Sequence, residues 1–281
     1  MNVKDVYNAI DAAAPFSLAM DFDNPGLLVG DPDEQVKGAL VALDVTDNVI
    51  DEAVSRGANL IVTHHPVIFH PMKRVTADTL VWRLVRAGLS VVSAHTNLDI
   101  ARGGVNDILA ARLELADTAP LEETCPGEGI GRVGTLARGM TPPEFAYYVK
   151  RMLDLQAVRY CDGGRAIERV AVCGGSGGNM LEAAAAAGCQ AYVTGDVKHD
   201  VMLDAVHRGI TLLDAGHFGT ETIVLDYLAG LVRAAVGEGV PVVIARTNVD
   251  VTTTISIFAR RAAELPGPAP AGGPISWPPK K

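Results

Sequence analysis

The sequence predicts an α/β protein of two related lobes, each built around a mostly parallel sheet. Three observations carry this expectation. Short apolar runs alternate with helical patterns, the alternation occurs twice, and the spacing between the two series is nearly constant. At 281 residues the chain suits one large domain or two modest ones. Apolar residues at 48% and charged residues at 20% supply a core and exclude a disordered chain.

The first series begins with a strand over Val36–Leu43 and a helix over Val49–Arg56 that stops at Gly57. A strand over Asn59–Thr63 follows, then a helix over Thr79–Ala87 ending at Gly88, and a strand over Leu89–Ala94. Strand–helix–strand units of this length imply parallel pairing. The second series has strands at Arg169–Cys173, Gln190–Thr194 and Ile210–Asp214. Between them lie an alanine-rich helix over Asn179–Ala187 and a helix over Val201–Arg208. Gly57 to Gly188 and Thr63 to Thr194 are both 131 residues apart, and Gly88 to Gly209 is 121. Glu122–Arg138, rich in Gly, Pro and Thr, reads as the connection between the halves. Thr141-Pro142-Pro143-Glu144 has the form of a helix start.

The expected boundaries are therefore 1–124 for the first lobe and 125–263 for the second. The stretch 264–281 holds 6 of the 16 prolines, so it is expected to be a disordered or polyproline-like tail. A net charge of −9 excludes a broad basic surface for nucleic acid or anionic lipid. No apolar run approaches the length of a membrane span, and Met1–Asp5 lacks a secretory signal's apolar stretch, so a cytoplasmic protein is expected. Cys125, Cys161, Cys173 and Cys189 form no C-x-x-C pair and read as reduced thiols.

Four of the seven histidines stand at the carboxyl ends of predicted parallel strands, the edge where α/β proteins assemble ligand sites: His64, His65, His95 and His217. Two carry an acid four residues on, in His95–Asp99 and His217–Glu221. If a helical turn begins there, each pair shares one side of it. Imidazole with carboxylate suits Zn²⁺, Fe²⁺, Mn²⁺, Co²⁺ or Ni²⁺. His64, His65, His95, Asp99, His217 and Glu221 make six protein groups, which with room for water fit two divalent ions better than one. Such a pair lowers the pKa of bound water and attracts an anionic substrate.

Several motifs, in order, resemble the Nif-three-like family, also called type 2 homologues of GTP cyclohydrolase I. They are Asp21–Gly30, Thr63-His64-His65-Pro66, His95–Asp99, Gly103–Asp107, Ala191–Asp196 and Gly216–Glu221. The resemblance covers about residues 1–250. It implies a two-lobed α/β subunit, a dinuclear metal centre in the cleft between the lobes, and a toroidal homohexamer made as a dimer of trimers. It places the metal ligands at His64, His65, Asp99, His217 and Glu221, with Glu221 bridging. His95 falls outside that set, with a catalytic proton-carrying role, a substrate contact or a place behind the ligands all open. Phe22 stands where the family commonly has Trp, and Phe218 where it commonly has Tyr.

Other residues have competing readings. Gly174-Gly175-Ser176-Gly177-Gly178 matches the G-x-S-x-G of a serine-hydrolase elbow, with Asp196 or Asp214 and then His217 in the right order. No HGGG-type oxyanion segment precedes it, and it leaves His64, His65 and Glu221 unexplained, so a strand-to-helix turn or an anion cradle is preferred. His199 and His207 read as solvent-facing, with His199 a candidate substrate contact, and His70 as a loop residue. Asp21, Asp23 and Asn24 read as turn caps or as residues shaping the cleft. Asp44 reads as an acceptor behind a metal-bound imidazole. The function expected is a metal-dependent hydrolase acting on a nucleotide-like or phosphorylated small molecule. The alternative is a ring-shaped protein that handles metal without catalysis. Against a guanine nucleotide stand the lack of an identifiable guanine-reading carboxylate and a sparse supply of aromatic residues for stacking (5% of the chain).

Overall fold

Both strand series form sheets, and the parallel strands of both are buried on two faces. The computed structural model describes residues 1–254, of which 1–250 form one compact unit. In chain order the first part comprises α1 (Val3–Ala13), β1 (Gly26–Val29), β2 (Ala39–Ala42), α2 (Asp47–Ser55), β3 (Leu60–Thr63), α3 (Leu80–Ala87) and β4 (Ser90–Ser93). Then come α4 (Thr96–Ile100), α5 (Val105–Arg112), β5 (Ala116–Cys125), β6 (Glu128–Met140), α6 (Pro142–Met152), β7 (Arg159–Cys161) and β8 (Ile167–Val172). The chain continues through α7 (Leu181–Ala186), β9 (Ala191–Thr194), α8 (His199–His207), β10 (Thr211–Asp214), α9 (His217–Glu221), α10 (Leu225–Val236) and β11 (Val242–Ile244).

The first sheet has the order β1-β4-β3-β2-β11 and the second β5-β6-β8-β9-β10-β7. Each contains a run of three parallel strands with an antiparallel strand closing the edge beside its last member: β2-β3-β4 with β1, and β8-β9-β10 with β7. These are the strands that the 131- and 121-residue offsets relate. Alternate residues of one strand enter opposite cores, as a two-residue period requires. Val41, Leu60, Val62 and Val92 face one cluster with α1 and α10, while Leu40, Ala42, Ile61 and Val91 face another with α2 and α3. The second sheet repeats this, with Val170, Val172, Val193 and Leu213 on one face and Ala171, Tyr192 and Leu212 on the other. Burial on both faces explains why these strands read as continuous apolar runs.

Helix starts obey local chemistry. Asn2 and Asp5 form a reciprocal cap on α1, Thr46 and Thr79 cap α2 and α3, and Thr141 with Glu144 boxes α6, whose first residue is Pro142. The α1 stripe of Val3, Val6 and Ile10 is fully buried, each side chain contributing roughly 1.5–3 kcal/mol.

The structure changes the expected organisation at two points. Glu122–Arg138 is not an irregular connection but most of the β5–β6 hairpin, paired from Ala116↔Thr135 to Cys125↔Glu128. Its strands escape apolar patterning because β5 is largely exposed. Glycines permit its close backbone approach: a Cβ on Gly129 would lie 2.1 Å from the Glu122 carbonyl oxygen. The hairpin spans the expected boundary at 124/125 and belongs wholly to the second sheet. Farther on, β11 pairs parallel with β2, so residues 242–244 complete the first sheet rather than the second. The expected tail at 264–281 lies outside the described residues, as do 255–263. All four cysteines are free thiols, and among the described residues no helix is long and apolar enough to cross a membrane.

Candidate metal centre

The carboxyl ends of the parallel strands bring the predicted residues together. His64 and His65 leave β3, His95 leaves β4 and opens α4, and Asp99 comes one turn later on α4. His64 is fully buried, and its Nδ1 donates to the Ala94 carbonyl at 2.8 Å, so Nε2 faces inward. That Nε2 lies 3.6 Å from Asp99 Oδ1 and 3.7 Å from Glu221 Oε1. His65 Nδ1 donates to Asp44 Oδ1 at 2.7 Å, turning its Nε2 towards Glu221 Oε2 at 2.9 Å.

The second sheet answers with the same device. His217, at the start of α9 after β10, donates from Nδ1 to Asp196 Oδ2 at 2.7 Å. Its Nε2 lies 3.0 Å from Glu221 Oε2 and 3.2 Å from His65 Nε2. In both sheets the acid after one parallel strand holds the histidine after its neighbour, across 21 residues of sequence.

The donor atoms fall into three overlapping groups, each within 4.8 Å: His64, Asp99 and Glu221; His65, His217 and Glu221; and His64, His65 and His95. Glu221 belongs to two of them. His64 Nε2 and Asp99 Oδ1 are buried without hydrogen-bond partners. Where Nδ1 is already the donor, a neutral imidazole presents a lone pair at Nε2. Three such nitrogens facing two carboxylates need a cation among them, either protons or metal. Their charges show the same demand. Against the opposing effect of burial, the Asp44 and Glu221 carboxylates raise His65 to about 10. Glu221, with burial opposing it, raises His217 to about 9. Burial raises Asp99 to about 6, while His64, His217 and His65 overcome burial to hold Glu221 well below the usual carboxylate range. The donor set therefore fits a divalent ion of imidazole–carboxylate preference.

His95 stands beside this group on a different support. Its Nδ1 donates to Asp23 Oδ1 at 2.7 Å, while Asp23 Oδ2 accepts from the Thr96 amide at 3.0 Å and from the Thr96 hydroxyl. Asp23 Oδ1 also accepts from the Asn24 amide at 2.7 Å, so it caps its own turn and holds His95 at once. Burial opposes its ionisation, but His95 and Thr96 bring its carboxyl down to about 2.

Several supports went unseen in the sequence. Asn106 donates to the Asp99 carbonyl at 2.9 Å and accepts from the Gly174 amide at 2.9 Å, so it joins α4 to the glycine loop after β8. Only the Gly103–Asp107 motif pointed to it. Gly175, with φ +64°, passes so close to Glu221 that a Cβ would sit 2.1 Å from Oε1. Its amide donates to Thr220 Oγ1 at 3.0 Å. The hydrolase-elbow reading is disfavoured at the base: Asp196 holds His217 Nδ1 as a triad acid would, but the Nε2 that would serve a serine faces Glu221 and His65, and Asp214 is paired with Arg159. His199 and His207 are exposed on α8 and His70 on its loop, and none joins the three groups.

Fold and site together define an α/β protein with a histidine–carboxylate cluster gathered from the strand ends of two sheets. The chain belongs to the Duf34/NIF3 (NGG1p interacting factor 3) family, whose model matches residues 1–250. It is 36% identical over 261 residues to the GTP cyclohydrolase 1 type 2 homolog of Clostridium acetobutylicum, covering 89% of this chain and 97% of that protein. To the protein of the same name from Streptomyces coelicolor it is 36% identical over 231 residues, covering 78% and 81%. A crystal structure of a Staphylococcus aureus hypothetical protein superposes with TM-score 0.83 at 28% identity, over 91% of this chain and 99% of that one. Reduced HcgD from Methanocaldococcus jannaschii gives 0.76 at 28%, over 88% and 98%.

Proposed function

We propose that the chain is a metal-dependent hydrolase of a nucleotide-like or otherwise phosphorylated small molecule, with two divalent ions held by His64, His65, Asp99, His217 and Glu221. The observation that carries this reading is the pair of buried, unpartnered atoms, His64 Nε2 and Asp99 Oδ1, aimed at a carboxylate shared by two donor groups. Bound ions would supply positive charge for an anionic substrate and a lowered pKa for water. The chain's own residues do the rest. Asp44 and Asp196 fix the tautomers of His65 and His217, the Ala94 carbonyl fixes His64, and Glu221 serves both halves of the cluster. His65, His95 and His217 keep 20%, 18% and 35% of their side chains exposed, so a substrate enters from their side while His64 forms the floor. The names of the relatives, GTP cyclohydrolase 1 type 2 homolog, support hydrolytic chemistry on a phosphorylated compound. The family resemblance also supports assembly as a cytoplasmic homohexameric ring.

Elemental analysis of the purified chain tests the site. About two ions per chain are expected, falling to below half in His64→Ala with Asp99→Ala. Unchanged metal content in that variant would sink the ligand assignment. Screening the loaded protein against nucleotides and phosphoesters tests the reaction. Turnover lost in Glu221→Ala supports it, while no turnover with any ion, together with rapid metal exchange, favours the metal-handling alternative.

A further inference from the structure

Outside the metal cluster, the aromatic side chains are not scattered. Phe22 is 64% exposed and Phe69 37% exposed, although they come from separate loops, one before β1 and one after β3. Their ring centroids are 6.3 Å apart at an interplanar angle of 62°. Phe69 also meets His70 at 4.8 Å and His95 at 6.0 Å, and His95 in turn lies 5.3 Å from His64 and 5.6 Å from His65. A continuous run of rings therefore leads from solvent to the donor cluster. Every contact in its outer part is edge-to-face, which uses at most one face of each pair and leaves ring surface open for stacking.

The two loops are held in register. Asn24 Nδ2 donates to the Ile68 carbonyl at 2.6 Å, and Asn24 is followed at once by Pro25, whose ring fixes its backbone. Asp23 anchors the same turn to His95 and Thr96, and on the other side of Phe22 the Met20 amide donates to Thr96 Oγ1 at 3.0 Å. Phe22 is thus exposed on a turn tied down on either flank, which is how a fixed binding surface is built. Asp23, Asn24 and Pro25 have their roles in the fold, but nothing in the fold requires two large apolar rings to face water beside a charged cleft.

We infer that Phe22 and Phe69 form a stacking subsite for a planar ring of the substrate, whose anionic group lies across His95 at the metal cluster. This rests on the proposed function and narrows it to ring-bearing anions. One imidazole separates Phe69 from His64 and His65, so a single small molecule spans both parts. Stacking on a phenyl face tolerates any planar heterocycle, which answers the lack of a guanine-reading carboxylate: the subsite selects for a ring, not for one base. It also changes the expectation from composition. Aromatic residues are scarce along the chain, but two of the six phenylalanines are placed beside the site.

Isothermal titration calorimetry on the metal-loaded full chain tests this with adenosine 5′-monophosphate, ribose 5-phosphate and adenosine. The monophosphate is expected to bind about tenfold more tightly than ribose 5-phosphate, a usual increment for one stacked base. Phe22→Ala with Phe69→Ala removes that preference and leaves ribose 5-phosphate affinity unchanged, while Phe69→Trp keeps it. Equal binding of the two phosphates by the unaltered chain, or a preference that survives the double substitution, overturns the subsite. So does a double variant that changes the assembly's mass by light scattering with ring preference intact, because the rings then belong to a contact between copies. Adenosine binding that is lost with the two rings, but with no binding of ribose 5-phosphate, supports the subsite and overturns the anionic-substrate reading instead.

Discussion

Gly175 shows how a single residue without a side chain sets the centre. Its φ of +64° is one that other residues adopt with strain, and a Cβ there would lie 2.1 Å from Glu221 Oε1 and 3.3 Å from His217 Nε2. The Glu221 carboxylate is confined by His64, His65 and His217, so it has no slack to yield. Gly175→Ala is expected to displace it and to lower metal affinity at least tenfold, with the circular dichroism spectrum unchanged; titration with Zn²⁺ against a competing chelator measures this. Asp44→Asn and Asp196→Asn act more gently, by loosening the orientation of His65 and His217. Each is expected to cost roughly 10–100-fold in metal affinity. Asp44 and Asp196 are half-exposed, so neither change should disturb folding. Equal affinity in both variants and the unaltered chain would show that the carboxylates do not hold the imidazoles. The histidines themselves were legible because each follows a short apolar strand directly. Their partners were less so: Asp44 was found from its strand end, whereas Gly175, Asn106 and Thr220 act through contacts that no local pattern encodes.

Among the elements, α2 carries a clamp on the C-terminal strand. Glu52 Oε1 accepts from Arg56 Nε at 2.8 Å and from the Arg246 amide at 3.2 Å. Its Oε2 accepts from the Thr247 amide at 2.9 Å and the Thr247 hydroxyl at 2.8 Å. Burial opposes ionisation of this carboxyl, but the hydrogen bonds from Thr247, Arg246 and Arg56 lower it to about 2 from an ordinary 4.5. A depressed carboxyl stabilises the fold fully above its unfolded value and loses that contribution as pH falls towards its folded value. Acid unfolding is therefore expected to draw on Glu52 between about pH 4.5 and 2. Glu52→Gln should lower the urea-derived stability at pH 7 by roughly 1.5–3 kcal/mol, with the difference shrinking towards pH 2. A constant difference across that range would refute the clamp. Elements of this long-range kind leave the weakest trace in the sequence. The β2, β3 and β4 strands declare themselves because both faces are apolar, and capped helices such as α6 announce their starts. The exposed β5 lacks any apolar period, and β11 is three residues whose place beside β2 depends on the return of α10 across α1.

On the scale of the molecule, the duplication in topology is not a duplication of the site. The offsets and strand orders relate β2-β3-β4-β1 to β8-β9-β10-β7, yet His65 follows β3 whereas its counterpart in use, His217, follows β10 rather than β9. The two sheets contribute unlike sets, with His64, His65, His95 and Asp99 from one and His217 and Glu221 from the other, so the centre exists only when both are present in one folded unit. Besides the two rings beside that centre, the chain leaves apolar side chains uncovered on its helices. Val54 on α2 is 53% exposed and Val85 on α3 is 59% exposed, on helices that pack together. On α8, which packs beside β7, Leu203 and Val206 stand three residues apart at 60% and 46% exposure. Apolar side chains on paired surface elements favour association, and the proposed hexameric ring supplies two kinds of contact to cover two such faces, one within trimers and one between them. Light scattering on the purified chain is expected to give six times the single-chain mass. Leu203→Asp with Val206→Asp should break one kind of contact and give dimers or trimers while the metal content per chain stays the same, because every proposed ligand comes from one chain. A monomer from the unaltered protein would overturn the ring. Loss of metal in step with loss of assembly would show instead that the centre depends on a neighbouring copy.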